Sequence, residues 1–179
     1  VIKLWNAESF DRAQDKRGSR IYFHTDAVQT VGMLPFDVNK LGVDLLSLSA
    51  HKLYGPKVVG ALFIRRGTRI HPFLRGGAQE RHRRASTENV PGIVGLGEAC
   101  VLAKQNLGDD DKRIKALRDR LFAGILKNIP DVVLNGHPTE RLSKNLNVSI
   151  RYIEGESILL NLDFEGIAAS TGSACSSGT

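Results

Sequence analysis

The run Leu45-Leu46-Ser47-Leu48-Ser49-Ala50-His51-Lys52-Leu53-Tyr54-Gly55-Pro56-Lys57 constrains this chain more than any other stretch. Val43 to Leu48 is apolar and strand-like, and it leads through Ser49, His51 and Lys52 into a Gly-Pro turn. In open α/β sheets, ligands sit just beyond the carboxyl ends of strands. A lysine at such a position can act as a nucleophilic amine, with a neighbouring histidine to carry the proton. Standing alone, the stretch reads more simply as a surface lysine after a buried strand.

A second strand end changes that balance. Ile21-Tyr22-Phe23-His24-Thr25 is again apolar and β-prone, and it stops at Asp26, followed by Ala27-Val28-Gln29. A carboxylate at one strand end and a lysine at the next suit pyridoxal phosphate. The amine condenses with the cofactor aldehyde, and the carboxylate keeps the pyridine nitrogen protonated so that the ring can accept electrons. Gln29, three residues further on, is within reach of the ring hydroxyl.

The remaining pattern is that of an α/β chain followed by a smaller α+β unit. Asp37 to Gly42 reads as a polar loop or short helix, and Gly60-Ala61-Leu62-Phe63-Ile64 as another buried strand. Gly76 to Thr87 is loop by composition, and Lys57 is expected to face solvent beside its proline. Pro91 fits the first turn of a helix ending near Gln105, with Cys100 as a small core residue. After Gly108 and Asp109-Asp110-Asp111, a second helix is predicted up to Pro130, with Ile114, Leu117, Leu121 and Ile125 as its core stripe.

Beyond it, Val132-Val133-Leu134 and Leu146 to Ile150 read as strands, Glu156 to Leu162 as a helix and Ile167-Ala168-Ala169 as a short strand. His137, in a Gly-His-Pro turn, is expected to be exposed and idle. At the other end, Glu8 to Arg17 is a candidate polar helix closed by Gly18.

Bulk properties exclude several classes. An apolar content of 41% and a charged content of 25% are those of a soluble globular protein. No segment approaches the roughly 18 apolar residues of a membrane helix, and the start lacks the apolar core of a signal peptide. Two cysteines make no disulfide framework, so a reducing cytoplasm is expected. The five histidines lack metal-site spacing. The net charge of +6 lies largely in Arg65, Arg66, Arg69, Arg75, Arg81, Arg83 and Arg84. Without interleaved aromatics or a nucleic-acid motif, this cluster reads as a solvated loop near an anionic cofactor and substrate, and no nucleic-acid partner is expected.

Four motifs then resemble, in order, those of the cysteine desulfurases. They are His24-Thr25-Asp26-Ala27-Val28-Gln29, Ser49 to Lys57, Ser86-Thr87-Glu88-Asn89-Val90-Pro91-Gly92-Ile93-Val94-Gly95, and Gly172-Ser173-Ala174-Cys175-Ser176-Ser177-Gly178. That family belongs to the class V aminotransferase group. The resemblance implies the fold-type I pyridoxal phosphate architecture, an α/β large domain with a mainly parallel sheet and a small α+β domain. The implied division is an unmatched segment 1–20, a partial cofactor-binding domain 21–106 and a partial small domain 107–179.

The resemblance also implies the chemistry. L-cysteine would be converted to L-alanine, with Lys52, His51 and Cys175 catalytic and cofactor contacts from Asp26, Gln29, Ser49, His51, Lys52 and Thr87. Cys175, flanked by small residues, would take the sulfur as a persulfide and swing out to pass it to an acceptor such as an iron–sulfur scaffold. Thr87 would reach the cofactor phosphate of a neighbouring subunit, making a homodimer part of the site. A threonine ahead of a helix also reads as an N-terminal cap.

The chain departs from the family at Val58, Ala78, His82, Ala85 and Ser86, where glycine or small residues are usual and a positive φ would strain a side chain. The family's N-terminal half and its carboxylate-binding arginine have no counterpart, so a truncated chain is expected, and its independent activity is not implied. The alternatives are a non-catalytic binding fragment derived from a desulfurase, and a cysteine hydrolase built on Asp26, His51 and Cys175.

Overall fold

The computed structural model describes residues 20–35 and 37–170. The candidate helix at Glu8 to Arg17 and the Cys175 loop lie outside the described residues. Two units are distinguished, with the division in the main helix between Leu117 and Arg118. The short stretch Leu142–Lys144 belongs to the first unit, although the residues on either side of it belong to the second.

The first unit is built on a three-stranded sheet of order β1-β2-β3, comprising β1 (His24–Asp26), β2 (Leu45–Ser49) and β3 (Gly60–Ile64). β1 and β2 are parallel, with Asp26 opposite Ser47, and β2 and β3 are antiparallel, with Ser49 opposite Gly60. Alternation along β2 sends Leu46 into a core with Ala27 and Val43, against which Phe23, Val31, Leu41 and Phe63 pack. A short helix α1 (Val38–Leu41) precedes β2. Its start is capped by the Asp37 carboxylate, which accepts from Asn39 N at 2.7 Å, and its end by Gly42 at φ 65°.

Polar anchors hold the sheet's amino-terminal side. Asp44 is buried, and its carboxylate accepts from the Phe23 amide at 2.9 Å and from the Arg20 guanidinium. Arg65 donates to the carbonyls of Val43 (2.8 Å) and Val38 (2.6 Å) and to Asn39 Oδ1 (3.1 Å). Arg84 donates to the carbonyls of Ser86 and Thr87, both at 3.1 Å. Within the arginine cluster, these two residues therefore bind backbone instead of forming a solvated anionic-ligand surface. The loop predicted at Gly76 to Thr87 contains a short helix α2 (Gln79–His82), in which Glu80, Arg81 and His82 all have positive φ.

The long helix α3 runs without interruption over Val90–Asn128. The predicted break after Gln105 is absent, because one glycine costs a helix only about 1 kcal/mol and Asp110 pairs with Arg113 one turn later. Its first half packs on the turn after β2, in a core of Ala50, Leu53, Leu96 and Ala99 that Cys100 joins as a partly buried residue. The expected stripe is not core: Leu117 and Leu121 are exposed, and Ile114 and Ile125 are only partly buried.

In the second unit, β4 (Val132–Leu134) and β5 (Val148–Ile150) form an antiparallel pair, and α4 spans Gly155–Phe164. The strand expected at Ile167-Ala168-Ala169 is irregular chain with no ladder partner; only Ile167 N closes back, onto Leu162 O. His137 is exposed but not idle. Its Nδ1 accepts from the amides of Thr139 (3.2 Å) and Glu140 (2.8 Å) and so organises the turn. No helix among the described residues is long and apolar enough to cross a membrane, and none of their His, Cys, Asp or Glu groups could hold a metal ion.

Two glycines of α3 respond oppositely to a side chain. A Cβ on Gly95 would stand 2.5 Å from Pro56 Cγ, whereas one on Gly97 would meet nothing within 4 Å. Thermal and urea unfolding should show Gly95→Val destabilised by about 1–3 kcal/mol through overpacking and Gly97→Ala stabilised by up to about 1 kcal/mol.

Candidate functional site

Because β1 and β2 are parallel, their carboxyl ends meet at one edge of the sheet, and the Ala27 amide donates to Ser47 O at 2.9 Å to lock them together. Asp26 closes β1 with an exposed side chain whose Oδ1 accepts from the Val28 amide at 2.9 Å. This Asx turn fixes the carboxylate at the strand end and carries the chain round to Gln29. On β2, Ser47 and Ser49 point to the same face, each bound to a histidine. The distances are 3.1 Å from Ser47 Oγ to His24 Nε2 and 2.7 Å from Ser49 Oγ to His51 Nδ1.

After Ser49 the chain makes a 3₁₀ turn, Ala50–Leu53. Ala50 and Leu53 are buried beneath it, and this leaves His51 and Lys52 exposed on its outer side. Tyr54 ends the turn at φ 61°, Val58 follows at φ 63°, and both side chains are almost wholly exposed. Lys57 is also exposed. A β-branched residue in the left-handed region is strained. The expectation of strain at family-glycine positions holds for Val58, His82 and Ser86, while Ala78 has a negative φ and Ala85 is not among the positive-φ residues.

Lys144 was not singled out in the sequence. Its Nζ donates to Gln29 Oε1 at 2.9 Å across 115 residues. Desolvation, and after it the charge of Lys52, holds its ammonium below the usual lysine range. Lys144 is thus an electrostatic neighbour of Lys52 as well as a partner of Gln29. Nothing in local spacing could have shown this.

Thr87 stands apart from this group. It is exposed in the loop before α3, and no described side-chain contact links it to Asp26, Gln29, Ser49, His51 or Lys52. It does not cap α3 either: Asn89 Oδ1 takes that role, accepting from the Gly92 amide at 3.2 Å. Cys175 lies outside the described residues. A cavity of about 770 Å³ in the first unit is lined by residues of the Lys52–Pro56 turn and of α3, beside their contact. It is lined by Gly32, Leu53, Ala99 and Leu102 among others, and Lys52 is the one residue it shares with the polar cluster at the strand ends.

The open sheet thus brings carboxylate, amide, hydroxyl, imidazole and amine to its parallel strand ends, the place where open α/β sheets carry their ligands. The sequence profile of the aminotransferase class-V family matches residues 11–178, and the chain belongs to that family. It is 61% identical over 159 residues to cysteine desulfurase IscS of Methanosarcina thermophila, covering 89% of this chain and 39% of that protein. It is 51% identical over 176 residues to cysteine desulfurase NifS of Azotobacter vinelandii, covering 98% and 43% respectively.

Among solved structures, a NifS-like protein superposes with a TM-score of 0.78 at 40% identity, over 88% of this chain and 42% of that one. A NifS-like protein from Rickettsia africae also gives 0.78, at 33% identity over 85% and 42%. The fold is thus that of the NifS-like, fold-type I proteins, as expected. The chain spans about two fifths of the length of these relatives.

Two stability measurements test this local reading. Val58→Gly should stabilise the chain by about 1 kcal/mol by relieving the left-handed strain. The Lys144 value is lowered on folding, so between that value and the ordinary 10.5 the unfolded chain binds more protons and stability rises with pH. Lys144→Met should remove this increment, as read by urea unfolding over an alkaline pH series.

Proposed function

We propose that this chain provides the lysine-bearing part of the pyridoxal phosphate site of a cysteine desulfurase. The observation that supports this most directly is the parallel pairing of β1 with β2, which gives Asp26 and the Ser49-His51-Lys52 turn a common edge. The donor set fits the group. Lys52 offers an exposed amine to an aldehyde, Asp26 a carboxylate to a protonated ring nitrogen, and Gln29 an amide to a ring hydroxyl. Ser49 and His51, already bound to each other, offer hydroxyl and imidazole to a phosphate.

When bound, pyridoxal phosphate supplies an electron sink for the bond changes at an amino-acid Cα. The residues of the chain do the rest. Asp26 holds a proton on the ring nitrogen through its carboxylate. Gln29 orients the ring through its amide. Lys52 fixes the group to the protein and exchanges protons with substrate, and His51 carries protons beside it. Cys175 acts as a thiolate on the sulfur of L-cysteine, forming a persulfide as the carbon–sulfur bond breaks and leaving alanine once the carbon is protonated.

The wider assembly follows the same reading: a cytoplasmic homodimer in which Thr87 serves the neighbouring subunit, and a sulfur-acceptor protein such as an iron–sulfur scaffold. Residues 21–106 form the cofactor-binding part and 107–179 part of the small domain. The His51 Nδ1 bond to Ser49 rather than to a carboxylate favours this reading over a cysteine hydrolase.

Borohydride reduction of the full chain with pyridoxal phosphate, followed by peptide mass mapping, should place a pyridoxyl mass on Lys52 and none in Lys52→Ala. Failure to label Lys52 in the unaltered chain would sink the proposal. With L-cysteine, Cys175→Ser should keep the label and lose alanine and persulfide formation, and His51→Ala should slow alanine formation by roughly 100-fold or more.

A further inference from the structure

We propose that Lys144 is the positioning residue for Gln29: its ammonium holds Oε1 and so leaves the Nε2 donor for an acceptor oxygen of a ligand bound beside Asp26. The inference rests on the cofactor reading for the identity of that ligand, but the orientation it assigns does not.

The 2.9 Å contact joins Lys144 Nζ to Gln29 Oε1. An ammonium has three donors and no acceptor, so only the amide oxygen can face it. With Lys144 in place, the amide therefore presents Nε2 elsewhere as a donor, the polarity that a ring hydroxyl or phenolate oxygen requires. Without Lys144 the amide is free to turn and to offer Oε1, which would repel such an oxygen.

The chain goes to some length to keep Lys144 there. Leu142–Lys144 belongs to the first unit, whereas the residues flanking it belong to the second. Ser143 is buried although its hydroxyl has no hydrogen-bond partner, so that side chain accepts a polar cost to stay there. The ammonium also stands where Lys52 repels it and solvent is partly removed. A lysine on an exposed turn could extend away from both; the hydrogen bond to Gln29 is the contact that opposes this.

Two readouts on the full chain separate the alternatives. In protein labelled with ¹⁵N at glutamine side chains, the Gln29 amide should give restrained signals in the unaltered chain and in Lys144→Arg, and averaged signals in Lys144→Met. Unchanged Gln29 signals in Lys144→Met would overturn the proposal whether or not any cofactor binds. In titrations with pyridoxal phosphate, Lys144→Met should weaken binding about three- to tenfold and shift the visible band, and Lys144→Arg should restore most of both. Adding Lys144→Met to Gln29→Leu should cause no further loss; additive losses would show that Lys144 acts on its own and overturn the positioning role. Absence of a Lys52 adduct in the unaltered chain would count against the cofactor reading alone, and the glutamine signals would still decide the role of Lys144.

Discussion

The arrangement at the strand ends depends on β2 being paired on both sides. Its parallel partner β1 sets Asp26 opposite Ser47, and its antiparallel partner β3 sets Gly60 opposite Ser49, so the strand can neither slide nor rotate. A slip of one residue would turn Leu46, now 2% exposed, out of the core and carry Ser47 and Ser49 to the wrong face. The His51–Lys52 turn begins where that ladder ends. Its outward side chains are therefore aimed by the sheet beneath them, with Ala50 and Leu53 anchoring the other side against α3.

The approach of α3 completes the support. Gly95 lets the helix come within contact of Pro56, and Ala99 lies against Gly55 and Ala50. Small residues on both surfaces bring helix and turn close together, so the segment carrying Lys52 is backed by close packing rather than by a long side chain. This differs from the anchoring of the sheet's opposite side, which is polar and relies on Asp44 and Arg65.

Most of the local elements, and the meeting of Asp26 with the Ser49-His51-Lys52 turn at the strand ends, could be read from the sequence where the signal was short in range. The apolar runs ending at Asp26 and Ser49, the loop or short helix between Asp37 and Gly42 and the β3 strand each have a pattern within a few residues. The failures involve competition or distance. Gly108 and the acidic run looked like a helix boundary, yet a helix already nucleated crosses one weak residue easily. Thr87 sat where a cap would be expected, but Asn89 is the residue in the right register. Ile167-Ala168-Ala169 has strand composition without a partner, and composition alone makes no ladder. Arg65 looked solvent-facing because its carbonyl partners are brought in by folding from more than 20 residues away, whereas Arg84 and His137 bind backbone two or three residues on, in turns that composition does not specify. Lys144 is the extreme case, since its partner is 115 residues away.

β3 lies at the margin of the described sheet, with β2 along one side only. Gly60, Ala61 and Leu62 on it are exposed, and none bears a charge that would discourage another strand from docking. Such a margin is adhesive. At high concentration, this short apolar strip opposes the mutual repulsion that the net positive charge supplies.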